Sequence, residues 1–213
     1  MLNPIISRPG GVVSLDRKSF DEVCAELMRH VNRDRRPDVL IGIRTGGLVV
    51  AESMAKAAGG DLPVLAMTCR RPSSRHKPKS STMRRLVANL PRPVLDQLRV
   101  MEHALLTRRA PPPPRGQFHF GESELERLEA WVAAAGERPS LLIVDDAVDS
   151  GTTLSVVLDA VQRRVPRTAT IRSAAITVTT ERPLALPDYA LYHRQLCRFP
   201  WSLDALTDTP CSS

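Results

Sequence analysis

Val144-Asp145-Asp146-Ala147-Val148-Asp149-Ser150-Gly151-Thr152-Thr153-Leu154 is the stretch from which the rest of this chain can be read. It continues the apolar run Leu141-Leu142-Ile143, whose unbroken hydrophobicity suits a strand buried on both faces. Two carboxylates therefore stand at the carboxyl end of a buried strand, where open α/β sheets bind their ligands. Adjacent acids in that position suit a sugar diol or a hydrated Mg2+, which takes few carboxylates and fills its shell with water and substrate oxygens. Asp149 to Thr153 then form a small-residue turn into a helix. Amide groups at such a turn converge on one centre, and the helix dipole favours an anion there. Hydroxyls of Ser150, Thr152 and Thr153, beside Gly151, add further donors. Together these residues suit a phosphorylated sugar, and the missing lysine of GxxxxGK[ST] excludes a Walker loop.

Outward from this stretch the chain alternates regularly. The spacing predicts a helix over Thr152–Arg163 and a strand over Ile171–Thr179, with a helix over Glu122–Ala135 before the central strand. Further upstream, Val39 to Arg44 reads as a second buried strand and Thr45-Gly46-Gly47 as a tight turn. A helix from Leu48 to Ala58 closed by Gly59-Gly60 and a strand over Pro63–Cys69 complete a βαβ unit, for which a right-handed crossover is expected. Ser19 and Glu22 have capping-box spacing, and the apolar positions Phe20, Val23, Leu27 and Val31 predict a helix over 19–33. The expected fold class is α/β, a parallel sheet flanked by helices.

The central stretch resembles the phosphoribosyl-pyrophosphate (PRPP) motif of type I phosphoribosyltransferases: a short apolar strand, two acids, two variable residues, then D-[ST]-G-x-T. Every one of those positions is met by Val144 to Thr153. A second stretch, Val39 to Leu48, is similar to the family's pyrophosphate loop, with Arg44, Thr45, Gly46 and Gly47 between strand and helix. Glycines there let backbone approach an anion, and Arg44 can add charge-assisted hydrogen bonds. The resemblance covers about residues 19–69 and 137–201. It implies a 5′-phosphate in the Asp149–Thr153 loop and ribose hydroxyls on Asp145 and Asp146. It also implies a diphosphate between Arg44–Gly47 and a Mg2+ held by Asp145 and Asp146. In purine-using members the acid matching Asp149 exchanges a proton with the base, so Asp149 is the general acid/base candidate, with a helix N-cap as its competing role.

The rest of the chain departs from this pattern. The 213 residues carry a net charge of +7, but 68–115 hold 12 Lys and Arg against two acids, together with eight of the 18 prolines. That leaves 18 basic and 21 acidic residues elsewhere, a charge of −3, so a mildly acidic domain carries a basic, proline-rich insertion. We delimit one phosphoribosyltransferase-like domain over 1–213, an insertion or flexible loop over 70–121, and a C-terminal hood over 181–213. Within the insertion, 70–81 reads as a loop, 83–109 has helical spacing broken by Pro91 and Pro93, and Pro111–Pro114 is a polyproline spacer. Its cations suit a lid over a diphosphate; its helical part suits a hood extension, an oligomer contact or a platform for a larger acceptor. In the hood, Arg182-Pro183, Pro187-Asp188-Tyr189 and Phe199-Pro200-Trp201 are similar to hypoxanthine/xanthine-type members. Arg182 matches their base-reading lysine, and Leu196 stands where a stacking tryptophan is common. Phe199 and Trp201 suit either hood core or base stacking.

The expected activity is therefore Mg2+-dependent transfer of the phosphoribosyl group of PRPP to a nitrogenous base or base-like acceptor, with pyrophosphate released. The expected partners are PRPP, a small-molecule acceptor and a second copy of the chain in a homodimer. The alternative is a PRPP- or nucleotide-sensing regulator that binds RNA or DNA through the basic insertion; retention of the acids favours the enzyme. Reversal of the reaction, with a nucleotide cleaved by pyrophosphate or phosphate, is a third reading. No apolar run reaches the ~18 residues that suggest a membrane span. The N-terminus lacks signal-peptide features and the four cysteines lack CxxC or zinc spacing, so reduced thiols and a cytoplasmic location are expected. Five scattered histidines without an HExxH pair argue against a zinc hydrolase.

Overall fold

The structure, a computed structural model, describes residues 11–70 and 118–201. In chain order the elements are β1 (Val12–Ser14), α1 (Arg17–Asp34), β2 (Val39–Ile43), α2 (Gly46–Ala57), β3 (Val64–Met67) and β4 (Cys69–Arg70). Then follow β5 (His119–Phe120), α3 (Glu122–Ala134), β6 (Ser140–Val148), α4 (Thr152–Gln162), β7 (Thr170–Val178), β8 (Tyr189–His193) and β9 (Leu196–Arg198). The main sheet runs β3-β2-β6-β7-β8, and every adjacent pair in it is parallel. Of the loop expected over 70–81, Arg70 instead belongs to β4; the rest of it, the helical spacing over 83–109, the polyproline spacer and the residues beyond Trp201 lie outside the described residues.

Alternation along the central strands divides the core in two. Leu40, Leu142, Val144, Ala174 and Ile176 pack with Leu27 and Val31 of α1 and Val50 and Met54 of α2. Their sequence neighbours Val39, Ile41, Leu141, Ile143 and Ala175 pack on the other face with Leu128 and Val132 of α3 and Val157 and Val161 of α4. Both sets are apolar because the sheet is covered on both sides, which is why β2 reads as a continuous hydrophobic run.

Four boundaries differ from the sequence reading, each for a local reason. The N-cap of α1 is Asp16, which accepts the Ser19 amide at 2.7 Å; Ser19 belongs to the first turn and is not the cap. Hydrogen bonds from Ser19 hold the Asp16 carboxyl below its ordinary range. The helix α2 begins at Gly46, not Leu48. The strand expected over Pro63–Cys69 divides at Thr68, whose amide and hydroxyl turn aside to Glu124, and the chain resumes as β4 paired antiparallel with β5. The segment expected as a hood carries two strands: β8 joins the main sheet beside β7, and β9 pairs with β1 in a separate parallel ribbon. Prolines at 183 and 187 suggest a loop there, but the Tyr-Ala-Leu-Tyr run after them suits the open edge of β7.

No helix among the described residues is long and apolar enough to cross a membrane. Burial pushes the Cys24 and Cys197 thiols up to about 12. Thiolate is the reactive form, so neither residue is expected to be alkylated by iodoacetamide at pH 8 unless the protein is unfolded. Peptide mapping with and without denaturant checks this, and full modification of Cys24 in the native protein refutes it.

Candidate active site

The strand order places β2 between β3, its successor, and β6, which continues in the opposite direction across the sheet. That reversal makes the crevice beyond the carboxyl ends of β2 and β6 the topological switch point, where open α/β sheets bind ligands. Residues 44–47 leave β2 there and 145–153 run from the end of β6 into α4, so both predicted loops meet in one crevice.

The two glycines of the first loop are helical, and the need for them is steric, not conformational. A Cβ on Gly47 would lie 2.4 Å from the Val144 carbonyl oxygen and 2.8 Å from Asp145 Cα. A Cβ on Gly46 would lie 2.0 Å from Asp146 Oδ2. The amino end of α2 therefore rests directly on the acidic end of β6, with Asp146 in the space that a side chain at 46 would fill. Thr45 supplies no side-chain cap to α2, so the first-turn amides keep their hydrogen-bonding capacity for another acceptor. The Arg44–Thr45 peptide is cis. Arg44 and Thr45 are exposed, while Gly46 and Gly47 are buried.

Asp145 and Asp146 are half-buried neighbours, with the Asp146 amide donating to Asp145 Oδ1 at 3.0 Å. Burial raises the Asp145 carboxyl well above the ordinary range, and the charge of Asp146 pushes it the same way. Burial raises Asp146 as well, although less strongly. Such a pair gains from any cation that shares its charge.

Past β6, a pocket of about 190 Å3 is lined by Asp145, Ala147, Val148, Asp149, Ser150, Gly151, Thr153 and Leu154. Gly151, with φ +70°, is the N-cap of α4; Asp149 is not, which removes the helix-cap role considered for it. The Asp149 carboxylate accepts the Thr179 hydroxyl, and Thr180 Oγ1 donates to its carbonyl at 2.8 Å. Thr152 is buried, and its hydroxyl lies 3.0 Å from Ser150 Oγ. Residues 184 and 185 lie directly against this loop. The Leu184 amide donates to the Ser150 carbonyl at 2.8 Å, and a Cβ on Gly151 would come within 2.5 Å of the Ala185 nitrogen.

Arg182 is exposed beyond β7, and Leu196 is half-buried in the β1–β9 ribbon. Among the described residues, no hydrogen bond or ion pair links either to the two loops. Trp201 stacks on Phe199 with ring centroids 4.9 Å apart and meets Phe20 edge-on, and Phe199 belongs to the core.

One residue of the site was not singled out in the sequence. Glu124 of α3 accepts the Thr68 amide at 2.5 Å and the Thr68 hydroxyl at 2.9 Å, and its Oε1 lies 3.4 Å from Arg44 Nε. In the sequence it is only an acid in a helical first turn, and its partners are 56 and 80 positions away.

No family model matches the chain, and no curated protein matches it. Solved structures do. A purine phosphoribosyltransferase from Pyrococcus horikoshii is 19% identical, over 95% of this chain and 97% of its own, with a TM-score of 0.56. A Helicobacter pylori xanthine-guanine-hypoxanthine phosphoribosyltransferase is 16% identical over 92% and 97%, with a TM-score of 0.55. A Neisseria gonorrhoeae protein solved with bound ppGpp is 14% identical over 92% and 93%, with a TM-score of 0.56. The expected α/β fold, a parallel sheet flanked by helices, is thus shared with these proteins.

Proposed function

We propose that the protein transfers the 5-phosphoribosyl group of PRPP to a nitrogenous base or base-like acceptor and releases pyrophosphate. The observation that carries this reading is the convergence, at one switch point, of a half-buried acid pair and two anion-suited helix starts. The shared fold of two purine phosphoribosyltransferases supports it.

In this reading Asp149 to Thr153 bind the 5′-phosphate through the amides opening α4 and the Ser150, Thr152 and Thr153 hydroxyls. The diphosphate lies against Arg44 and the amides opening α2. Asp145 and Asp146 bind the ribose hydroxyls and counter the positive charge that develops on the ribose as pyrophosphate departs. Asp149, held by Thr179, stands at the pocket rim to exchange a proton with the acceptor nitrogen. Arg182 and Leu196 are proposed to contact the acceptor.

The donor set fits Mg2+. Two adjacent half-buried carboxylates with raised proton affinity favour a cation, yet no cluster of three or more metal-ligating side chains occurs among the described residues. Mg2+ accepts such a site because it keeps waters and takes oxygens from a phosphate-bearing substrate. When bound, the ion neutralises charge on the departing pyrophosphate.

The test is a pyrophosphate-release screen with PRPP and Mg2+ across purines, pyrimidines and small heterocycles. Turnover with at least one acceptor is expected; PRPP binding without turnover on any of them overturns the transferase reading. The ppGpp-bound structure of the same fold supports a second reading, a nucleotide-sensing regulator. It predicts tight, saturable ppGpp binding without turnover, coupled to salt-sensitive nucleic-acid binding through the basic insertion.

A further inference from the structure

We infer that Glu124 is a positioning residue that sets the Arg44 side chain for a diphosphate; the inference rests on the phosphoribosyl reading of the site. A Glu in the third position of a helix ordinarily turns back to the cap amide. Glu124 instead reaches across the fold to the end of β3 and the start of the 44–47 loop. Its carboxylate is engaged on both oxygens: Oε2 by the Thr68 amide, Oε1 by the Thr68 hydroxyl and Arg44. A Cβ on Gly121 would stand 2.9 Å from Oε2, so a glycine at the N-cap leaves room for this arrangement.

The geometry is asymmetric in a useful way. Glu124 is only 15% exposed and tied by two hydrogen bonds to Thr68, whereas the Arg44 side chain is 51% exposed. The anchored partner is thus the acid, and the arginine is the partner with freedom to meet a ligand. The nearest contact uses Nε, one of five N–H donors on the guanidinium, and the terminal nitrogens carry the other four for a second acceptor. The Arg44 amide donates to the Met67 carbonyl at 2.9 Å, so main chain and side chain are both held by the end of β3 or its anchor. An exposed arginine that is already oriented loses less rotamer freedom on grasping an anion than an unrestrained one. Glu124 does this without touching the ligand itself.

The experiment measures inorganic pyrophosphate and PRPP binding by calorimetry, with Mg2+, in the parent protein, Glu124→Gln, Arg44→Ala and the double variant. The parent binds both ligands. Glu124→Gln is expected to weaken both by about tenfold, while KM for PRPP rises and kcat stays within about twofold. In the Arg44→Ala background, Glu124→Gln is expected to change affinity by less than about twofold, since its effect runs through Arg44. A merely structural role predicts additive losses instead. Thr68→Val, which removes one anchor of the carboxylate, serves if Glu124→Gln fails to fold and is expected to weaken pyrophosphate by about threefold. Unchanged or tighter binding in Glu124→Gln, or additivity with Arg44→Ala, overturns the inference alone. Failure of the parent protein to bind either ligand overturns the phosphoribosyl reading, and the inference with it.

Discussion

Asp145→Asn combined with Asp146→Asn is expected to lower PRPP-dependent pyrophosphate release by at least about 10^3-fold and at the same time to make the protein more stable at pH 7. The loss follows from removing both negative charges at the site where the ribose becomes positive. The gain in stability follows from burial. Both carboxyls are raised above their ordinary value of 3.8, so the folded protein binds their protons more tightly than the unfolded chain does. Stability from that difference is complete below the unfolded value and is lost as the pH climbs through the raised values. At pH 7, above the unfolded value, the parent therefore carries the destabilisation that comes with enclosing two half-buried carboxyls, and the asparagines do not. The variant should melt about 2–4 °C higher, for a gain of about 1 kcal/mol at this chain length. The difference should shrink as the pH is brought down toward 4. Saturating Mg2+ at 100 times its dissociation constant should raise parent stability by about 2.7 kcal/mol and leave the variant unmoved. Melting curves at several pH values, with and without Mg2+, read all of this. A variant that keeps a tenth of its activity, or whose melting point falls at every pH, sinks the assignment of this pair.

The second large effect separates two adjacent glycines. Gly47→Ala is expected to destabilise the fold by about 3 kcal/mol, because its methyl meets the Val144 carbonyl oxygen at 2.4 Å and Asp145 Cα at 2.8 Å. Both are backbone atoms of the central strand and cannot give way without moving α2. Gly46→Ala is expected to cost less than about 1 kcal/mol, since the three atoms nearest its methyl all belong to the Asp146 side chain, which can rotate away. That rotation carries the acid out of the site, so Gly46→Ala should lose PRPP affinity by about 100-fold while remaining folded. Urea denaturation gives the first quantity and calorimetric titration the second. Equal stability losses in the two variants would falsify the packing argument.

Much of this arrangement could be read from the sequence because the signals are short-range. Leu141 to Val144 and Val39 to Ile43 are apolar without interruption, as a strand covered on both faces requires. Asp145, Asp146 and the turn to Thr153 follow at once, so the acid pair and the helix start are one local pattern. The register of Val39 with Leu141 then brings the Arg44 loop alongside it. Missed features depend on geometry that residue spacing alone does not carry. Asp16 caps α1 because it lies within reach of the Ser19 amide, whereas Ser19 with Glu22 has the same spacing on paper. The run after Pro187 becomes a sheet strand only because β7 leaves an open edge for it.

By itself, then, the sequence determined the alternation of strands and helices, the doubly covered central sheet and the two loops that carry acids, hydroxyls and glycines. Hydrophobic periodicity and residue type act over a few positions, and those are written directly in the chain. Only the tertiary structure decided why Gly46 and Gly47 are glycines, that Gly151 packs against the backbone of Leu184 and Ala185, and that Glu124 holds Arg44 and Thr68. Each of these is a contact between elements whose separation in sequence says nothing of their distance in space, and packing alone brings them together.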